Sequence, residues 1–197
     1  YETVQIGEQC WFAENLRVEN YRNGDAIDVD LDNASWGSTS AGASTVYGQA
    51  AGSITYDGSD IWEDNLDVFG RLYNGWVVTD ERKICPSGWG IPDTGQWEQL
   101  VATANSIGLS YDVLRSTITW NNVNGTNDLG FSALAGGRRR VSGNYNAMGN
   151  IGYWWHSADE IPANNNLDQI LINPNGSGLT TEGNPVWQGV SIRCIKD

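Results

Sequence analysis

The clearest helical pattern in this chain is short and stands alone. Trp97, Leu100, Val101 and Ala104 form one apolar stripe at helical spacing within Thr94–Ala104, and Asp93 with Gln96 has the spacing of a capping box. A weaker helical candidate covers Ser110–Arg115, and Glu14–Arg17 and Val46–Ala51 read as single turns. The rest must be built from strands and loops, because Asn, Gly, Ser and Thr interrupt the other apolar runs. Thr3–Ile6 and Gln9–Phe12 flank the two-residue link Gly7-Glu8 and predict a β-hairpin. Phe131–Leu134 is expected to end in a turn at Ala135-Gly136-Gly137. Gly152–Ser157 reads as an aromatic strand, Leu167–Ile172 alternates apolar and polar, and Gly189–Ile195 closes the chain as a strand. Strands between long loops, with the helix early, predict an α+β domain. The 197 residues fit a single domain over 1–197. The polar, acidic tract at about 24–67 is too long for an ordinary connection and reads as an elaborated loop region.

Charge excludes one class of partner. Lys and Arg number 11 against 24 Asp and Glu, a net of −13, so phosphate backbones and anionic membranes repel the chain. No apolar run approaches the ~20 residues that span a bilayer, so no membrane insertion by this chain is expected. The basic run Arg138-Arg139-Arg140 reads as a solvated or structurally paired turn. The start at Tyr1, without Met or a signal-peptide pattern, reads as a mature product or an excised domain. The Asn- and Gly-rich composition suits a bacterial exported protein.

Cys10, Cys85 and Cys194 are far apart and include no CxxC pair. One disulfide and one leftover thiol fits an exported protein better than zinc held by scattered thiols and the single His156. Closing the loop of about a hundred residues from Cys85 to Cys194 is worth ~4–5 kcal/mol in the chain-entropy model. Cys10 with Cys194 is the rival pairing, and both stay open.

A set of motifs carries a family resemblance. Gly7–Arg17 (GEQCWFAENLR) and Tyr21–Asp25 (YRNGD) come first, then Phe69–Asn74 (FGRLYN), Cys85–Pro92 (CPSGWGIP) and Trp97–Leu100 (WEQL). Gly130–Gly137 (GFSALAGG), Gly152–Ser157 (GYWWHS) and Val190–Cys194 (VSIRC) complete the series. In this order the sequence resembles the Fibrobacter succinogenes major paralogous domain, a bacterial family of mostly exported and surface proteins, from about Val4 to Asp197. The resemblance implies a C-type-lectin-like fold, shared distantly with formylglycine-generating enzymes and with variable receptor-binding proteins of diversity-generating retroelements. It implies that the first and last strands pair, bringing the strand of Cys10 near that of Cys194. It also implies a ligand face drawn from Gly143 to Trp187. The sequence departs from the family at Gly90, where His is frequent, and at Ala135, where Pro is common.

Reactive groups are few. His156 lies in the aromatic strand and reads as a hydrogen-bonded structural residue. No nucleophile elbow is present, and the paired cysteines of the formylglycine-generating oxidase have no counterpart among three distant cysteines. The chain therefore reads as a non-enzyme, with a polysaccharide-active enzyme as the least favoured reading. No cofactor is implied with certainty. Asp28-x-Asp30-x-Asp32-Asn33 copies the first half of an EF-hand loop but has Asn33 and Thr39 where Gly and Glu belong. Asp57, Asp60 and Asp64 are candidate oxygen ligands for a structural Ca²⁺.

Ten Trp and eight Tyr stand beside one Met and three Phe, so large amphipathic rings dominate the apolar content. Trp11, Trp76, Trp89, Trp97 and Trp154 occupy motif or stripe positions and read as core. Trp36, Trp62, Trp120 and Trp187 lie among polar residues and read as exposed. An exposed indole beside Asn and Asp side chains is the chemistry of sugar binding, and equally of protein interfaces. The candidate ligand-binding residues are Trp120, Tyr145, Asn164, Asn165, Asn166, Asn175 and Trp187. Together these readings predict an extracellular or cell-surface recognition and adhesion domain, whose partner is a protein or carbohydrate on another surface. The alternative is a structural subunit of an extracellular fibre or pilus-like assembly, with copies of itself as partners.

Overall fold

Gly7 takes φ +59° and turns β1 (Thr3–Ile6) back onto β2 (Gln9–Phe12), as a two-residue hairpin with glycine first requires. The register pairs Ile6 with Gln9 and Val4 with Trp11. In this computed structural model, which describes residues 1–29, 31–49, 62–106, 111–121, 123–173 and 178–197, the hairpin opens a four-stranded sheet. Its order is β1-β2-β12-β6, with β6 at Trp89–Gly90 and β12 at Ile195–Lys196. A second sheet joins β9 (Gly152–Trp155), β10 (Asn166–Asn173) and β11 (Gly178–Pro185), all antiparallel. A third holds β3 (Asp28–Val29), β4 (Ala43–Thr45) and β5 (Leu72–Tyr73). A two-stranded ribbon pairs β7 (Gly136–Arg139) with β8 (Tyr145–Met148).

Among the described residues, four α-helices accompany these strands: α1 (Asn33–Trp36), α2 (Trp62–Phe69), α3 (Gly75–Thr79) and α4 (Thr94–Ser106). The architecture is mixed α+β, as expected. The capping box forms as read: the Gln96 N–H donates to Asp93 Oδ1 at 2.7 Å, and the Asp93 N–H to Gln96 Oε1 at 2.9 Å. The weaker helical candidate is only a 3₁₀ turn at Tyr111–Val113. Asp32, read as part of a cation loop, instead caps α1, its Oδ1 accepting from the Ser35 N–H at 2.8 Å. That bond holds the Asp32 carboxyl below its ordinary pKa.

The core splits along the two faces of the β9–β10 layer. Trp154, Ile170 and Ile172 turn one way, onto Trp11, Trp97 and Phe131. Tyr153, Trp155, Leu167 and Leu171 turn the other way, onto Phe12, Tyr73 and Val77. This is the strand period of two, and β9 is buried on both faces. On the first face Trp97 meets Trp11 at 5.0 Å and Phe131 at 6.0 Å between ring centroids.

The segment expected as one closing strand is used differently. Gly189 bridges Arg139 of β7, Val190 bridges Tyr73 of β5, and Ser191 bridges Trp154 of β9. Ile195 then pairs with Trp11 and Gly90. The last residues thus touch all four sheets in turn, instead of lengthening one. Gly189 is required here, since a Cβ would lie 2.7 Å from the Trp36 ring. The expected turn at Gly136-Gly137 is likewise the start of a strand, which carries Arg139 inward.

The disulfide joins Cys85 to Cys194, 109 residues apart, with Cα atoms at 6.0 Å, and Cys10 stays free. Register explains the choice. With Ile195 opposite Trp11, and the Phe12 N–H donating to the Cys194 carbonyl at 2.9 Å, Cys194 faces Phe12 rather than Cys10.

Arg193 locks this assembly from inside. It is fully buried, and its Nε and Nη2 donate to Asn15 Oδ1 at 3.3 and 2.9 Å. It also donates to the carbonyls of Phe131 and Ser132 and lies 4.3 Å over the Phe131 ring. The same Asn15 oxygen accepts from the Trp154 indole at 2.9 Å. Asn15 Nδ2 meanwhile donates to the Phe69 carbonyl at the end of α2 and to Ser191 Oγ. Among the described residues no carboxylate pairs with Arg193. Burial therefore pushes the guanidinium down to about 9, still charged at neutral pH. Removing an acceptor from a buried charge costs more than removing one from a neutral group. We expect Asn15→Ala to cost about 3 kcal/mol or more in urea unfolding. The Asn15→Ala, Arg193→Leu double variant should lose clearly less than the sum of the two singles. Additive losses would show that the two side chains do not act as a unit.

Candidate functional site

Two hollows meet beside the disulfide. The first, of about 280 Å³, has Arg22, Lys83, Cys85 and Trp89 on one wall and Ser157, Ala158 and Asp159 on the other. The second, of about 350 Å³, continues from Ser157 and Ala158 to Asn164, Asn166 and Asp168. Local structure fixes both walls. The Arg22 Nε donates to the Cys85 carbonyl at 2.7 Å and its Nη2 to the Trp89 carbonyl at 2.9 Å. The Arg22 N–H donates to the Lys83 carbonyl at 2.8 Å. Trp89 packs on Phe12 with centroids 4.5 Å apart and remains half-buried. Opposite, the Ser157 N–H donates to the Pro92 carbonyl at 2.9 Å, tying the loop after β9 to the start of α4. The Asn165 N–H donates to the Pro162 carbonyl at 2.8 Å, and Asn164 Oδ1 accepts from the Asn166 N–H at 3.1 Å.

A larger hollow of about 570 Å³ lies over Asn15, among Glu2, Glu14, Arg17 and Asp67. Its polar groups are partly committed, since Arg17 pairs with Glu14 and the Glu2 N–H donates to Glu14. The groove beside the disulfide therefore offers the more available chemistry.

The residues expected to bind ligand do not all gather there. Asn164 and Asn166 line the groove, and exposed Asn165 sits between them. Trp187 is half-buried elsewhere, its indole donating to the Thr39 carbonyl at 2.8 Å and meeting Trp76 edge-on. Tyr145 is half-buried on β8, its hydroxyl 2.8 Å from Thr45 Oγ1 and its ring against Tyr47. Trp120 is not exposed: it is buried, its indole donates to the Ala133 carbonyl at 3.1 Å, and Arg115 lies over its ring. Trp36 is buried too, with the Arg139 guanidinium 4.4 Å above it. In both cases a stacked arginine covers an indole that polar neighbours had made look solvent-facing. Asn175, Asp57 and Asp60 lie outside the described residues, as do the side chains of Asp64 and Trp62. Among the described residues, no group of three or more His, Cys, Asp or Glu side chains is placed to hold a metal ion.

Trp89, read as core, does pack against the core beside Phe12 but is half-buried and also lines the groove. It follows the turn Pro86-Ser87-Gly88, the Pro86 carbonyl accepting from its N–H at 3.0 Å. Of Arg138-Arg139-Arg140, read as a turn, the first two belong to β7 and Arg140 opens the turn to β8: Arg138 stacks on Tyr153 at 4.7 Å, Arg139 is buried with bonds to Gly143, Leu31 and Asn33, and exposed Arg140 accepts at its carbonyl from the Gly143 N–H at 2.8 Å.

The sequence profile of the Fibrobacter succinogenes major domain matches residues 4–196. The chain belongs to that family. Searches of curated proteins and of solved structures gave no match. The match spans the motif residues that meet in the core, including Asn15, Trp154 and Arg193, together with both cysteines of the disulfide.

His156 precedes Ser157 of the groove but faces the core. It is buried, its Nδ1 lies 3.1 Å from Thr94 Oγ1, and its ring tilts against Trp97. Burial holds its pKa below the ordinary 6.5, and the nearby carboxylates of Asp168, Asp93 and Glu98 only partly offset this. The unfolded chain therefore takes up this proton first as pH falls, and the folded state loses stability on the acid side of 6.5. The imidazole resonances of this single histidine should titrate with a midpoint below 6.5. His156→Gln should flatten the dependence of unfolding free energy on pH on the acid side of 6.5. A midpoint at or above 6.5 would contradict the burial argument.

Proposed function

We propose that this domain is an exported, surface-displayed recognition and adhesion module that holds a protein or glycan ligand in the groove beside the disulfide. The observation that carries the reading is the groove's composition. A half-buried Trp89 face, the amides of Asn164 and Asn166, and the carboxylates of Asp159 and Asp168 converge from two rigidly tied walls. Flat apolar surface beside fixed hydrogen-bonding groups is how small polar ligands are oriented. The C-type-lectin-like reading of the fold belongs to the same proposal. It is supported by the pairing of β2 with β12, which joins the chain's two ends. Export is supported by the disulfide, a bond that persists in oxidising compartments. Binding of this kind needs no chemistry at the groove, in keeping with a non-enzyme.

A second reading, a subunit of an extracellular fibre, is favoured by one feature. The eight-residue β11 stands at the edge of its sheet with a row of backbone groups available for another chain.

The test has two arms. Membrane-impermeant labelling of intact cells should reach the domain. An Asn164→Ala, Asn166→Ala double variant with an unchanged melting temperature should lose about tenfold or more in affinity for glycan- or protein-coated surfaces. A protein confined to the cytoplasm, or undiminished binding by the double variant, would overturn the recognition reading. Concentration-dependent assembly abolished by a proline at Thr181 would move the weight to the fibre.

A further inference from the structure

The outer edge of β11 and the second hollow of the groove form one surface. The His156 N–H donates to the Asp168 carbonyl at 3.0 Å, so the backbone of Asp168 is turned toward β9. Its partner across the ladder is Gly183, and an antiparallel pair turned apart in this way exchanges no hydrogen bonds. The N–H and C=O groups of Gly183, and by alternation those of Thr181, therefore point out from the edge of the sheet. Among the described residues no loop or turn hydrogen bond engages them, and residues 180–183 are exposed. β11 contains no lysine and reaches a proline only at Pro185, so two usual guards of a sheet edge do not protect it. Such an edge accepts a strand from a partner.

Two carboxylates decide which strand. Glu182 stands on one face of β11, and Asp168 lies on the other, beside Gly183. A Cβ at Gly183 would lie 3.7 Å from Asp168 Oδ1, so the glycine leaves a passage from the edge to that carboxylate. The passage opens on the hollow of about 350 Å³, where the described lining residues other than Asp168 are neutral. Among the described residues neither carboxylate takes part in an ion pair. Side chains of an added strand alternate between faces. The residue opposite Gly183 therefore reaches Asp168, and its neighbour opposite Glu182 meets the other carboxylate. Both places suit a cation, and a net charge of −13 draws a basic chain in. The β11 of a second copy brings Glu182 and no cation, and does not fit. Resting on the recognition reading above, we infer that the ligand is a protein that adds an extended basic segment to β11, with adjacent Lys or Arg side chains on Asp168 and Glu182.

The experiment uses the peptide Val-Thr-Lys-Arg-Thr-Val, the same peptide with Gln for both basic residues, and two versions N-methylated on alternate backbone amides. Binding is followed by calorimetry and by the backbone N–H resonances of Thr181 and Gly183. The basic peptide should bind and shift both resonances. The Gln peptide should bind about tenfold or more weaker, as should the methylated version whose blocked amides face β11. Raising salt from about 25 to about 150 mM should weaken the basic peptide more than the Gln peptide. The Asp168→Asn, Glu182→Gln double variant should bind the two peptides alike. Gly183→Val, which fills the passage in ordinary contact with Asp168, should weaken the basic peptide about tenfold with an unchanged melting temperature. Equal binding of the basic and Gln peptides by the unaltered protein would overturn the basic partner. Undiminished binding of both methylated versions would overturn strand addition. No binding of any peptide, with surface binding still lost in the Asn164→Ala, Asn166→Ala variant, would overturn this inference and leave groove recognition standing.

Discussion

Burying a guanidinium costs several kcal/mol unless its N–H groups are met, and the usual remedy is a carboxylate. Here the Arg193 charge is met by neutral oxygens instead: one amide, two carbonyls and an aromatic face, drawn from segments far apart in sequence. The geometry of those oxygens sets the position of everything attached to them. Asn15 belongs to the turn after the first hairpin, Phe131 and Ser132 to the loop before β7, and Trp154, which shares the Asn15 oxygen, to the central strand. Because α2 ends on Asn15 as well, a helix terminus is satisfied by the same side chain. A two-stranded ribbon has little stability of its own, and larger sheets need a packed apolar face. In this protein they are held in register by a polar centre and the closing segment that carries it.

The groove inherits its rigidity from that arrangement. One step beyond Arg193, Cys194 pins Cys85, and Cys85 offers the carbonyl that orients Arg22. Ile195 and Lys196 then pair with Trp89–Gly90 and seat the indole. Four consecutive residues thus connect the deepest charge in the core to the Arg22 wall of the groove. A recognition site made of loops gains precision when its loops are bolted to such a frame, because less ordering remains to be done when ligand arrives.

Much of this was legible in the sequence where local rules decide. The hairpin around Gly7, the capped helix at Asp93–Gln96 and the strand at Leu167–Ile172 were legible from turn chemistry and apolar content, although that strand is buried on both faces rather than alternating. Residues whose state depends on distant partners were misread. Trp36 and Trp120 sit among polar neighbours, yet arginines cap their rings and take them inside. Gly136-Gly137 looks like a turn until Arg139 is seen to find its oxygens in Leu31 and Asn33, over a hundred residues away. α2 was passed over because its acidic residues hid the Trp62, Leu66, Phe69 spacing. The groove was half visible. Asn164 and Asn166 were read from composition, while Arg22 and Trp89 could be joined only by hydrogen bonds to carbonyls, which no side-chain pattern records.

The closing segment also orders events in time. Since Gly189 to Lys196 contact all four sheets of the described residues, this segment ties the first hairpin to strands far from it in sequence. Hairpin β1–β2 is local in sequence and can form early, whereas its pairing with β12 joins opposite ends of the domain, so contacts of long sequence separation complete the fold.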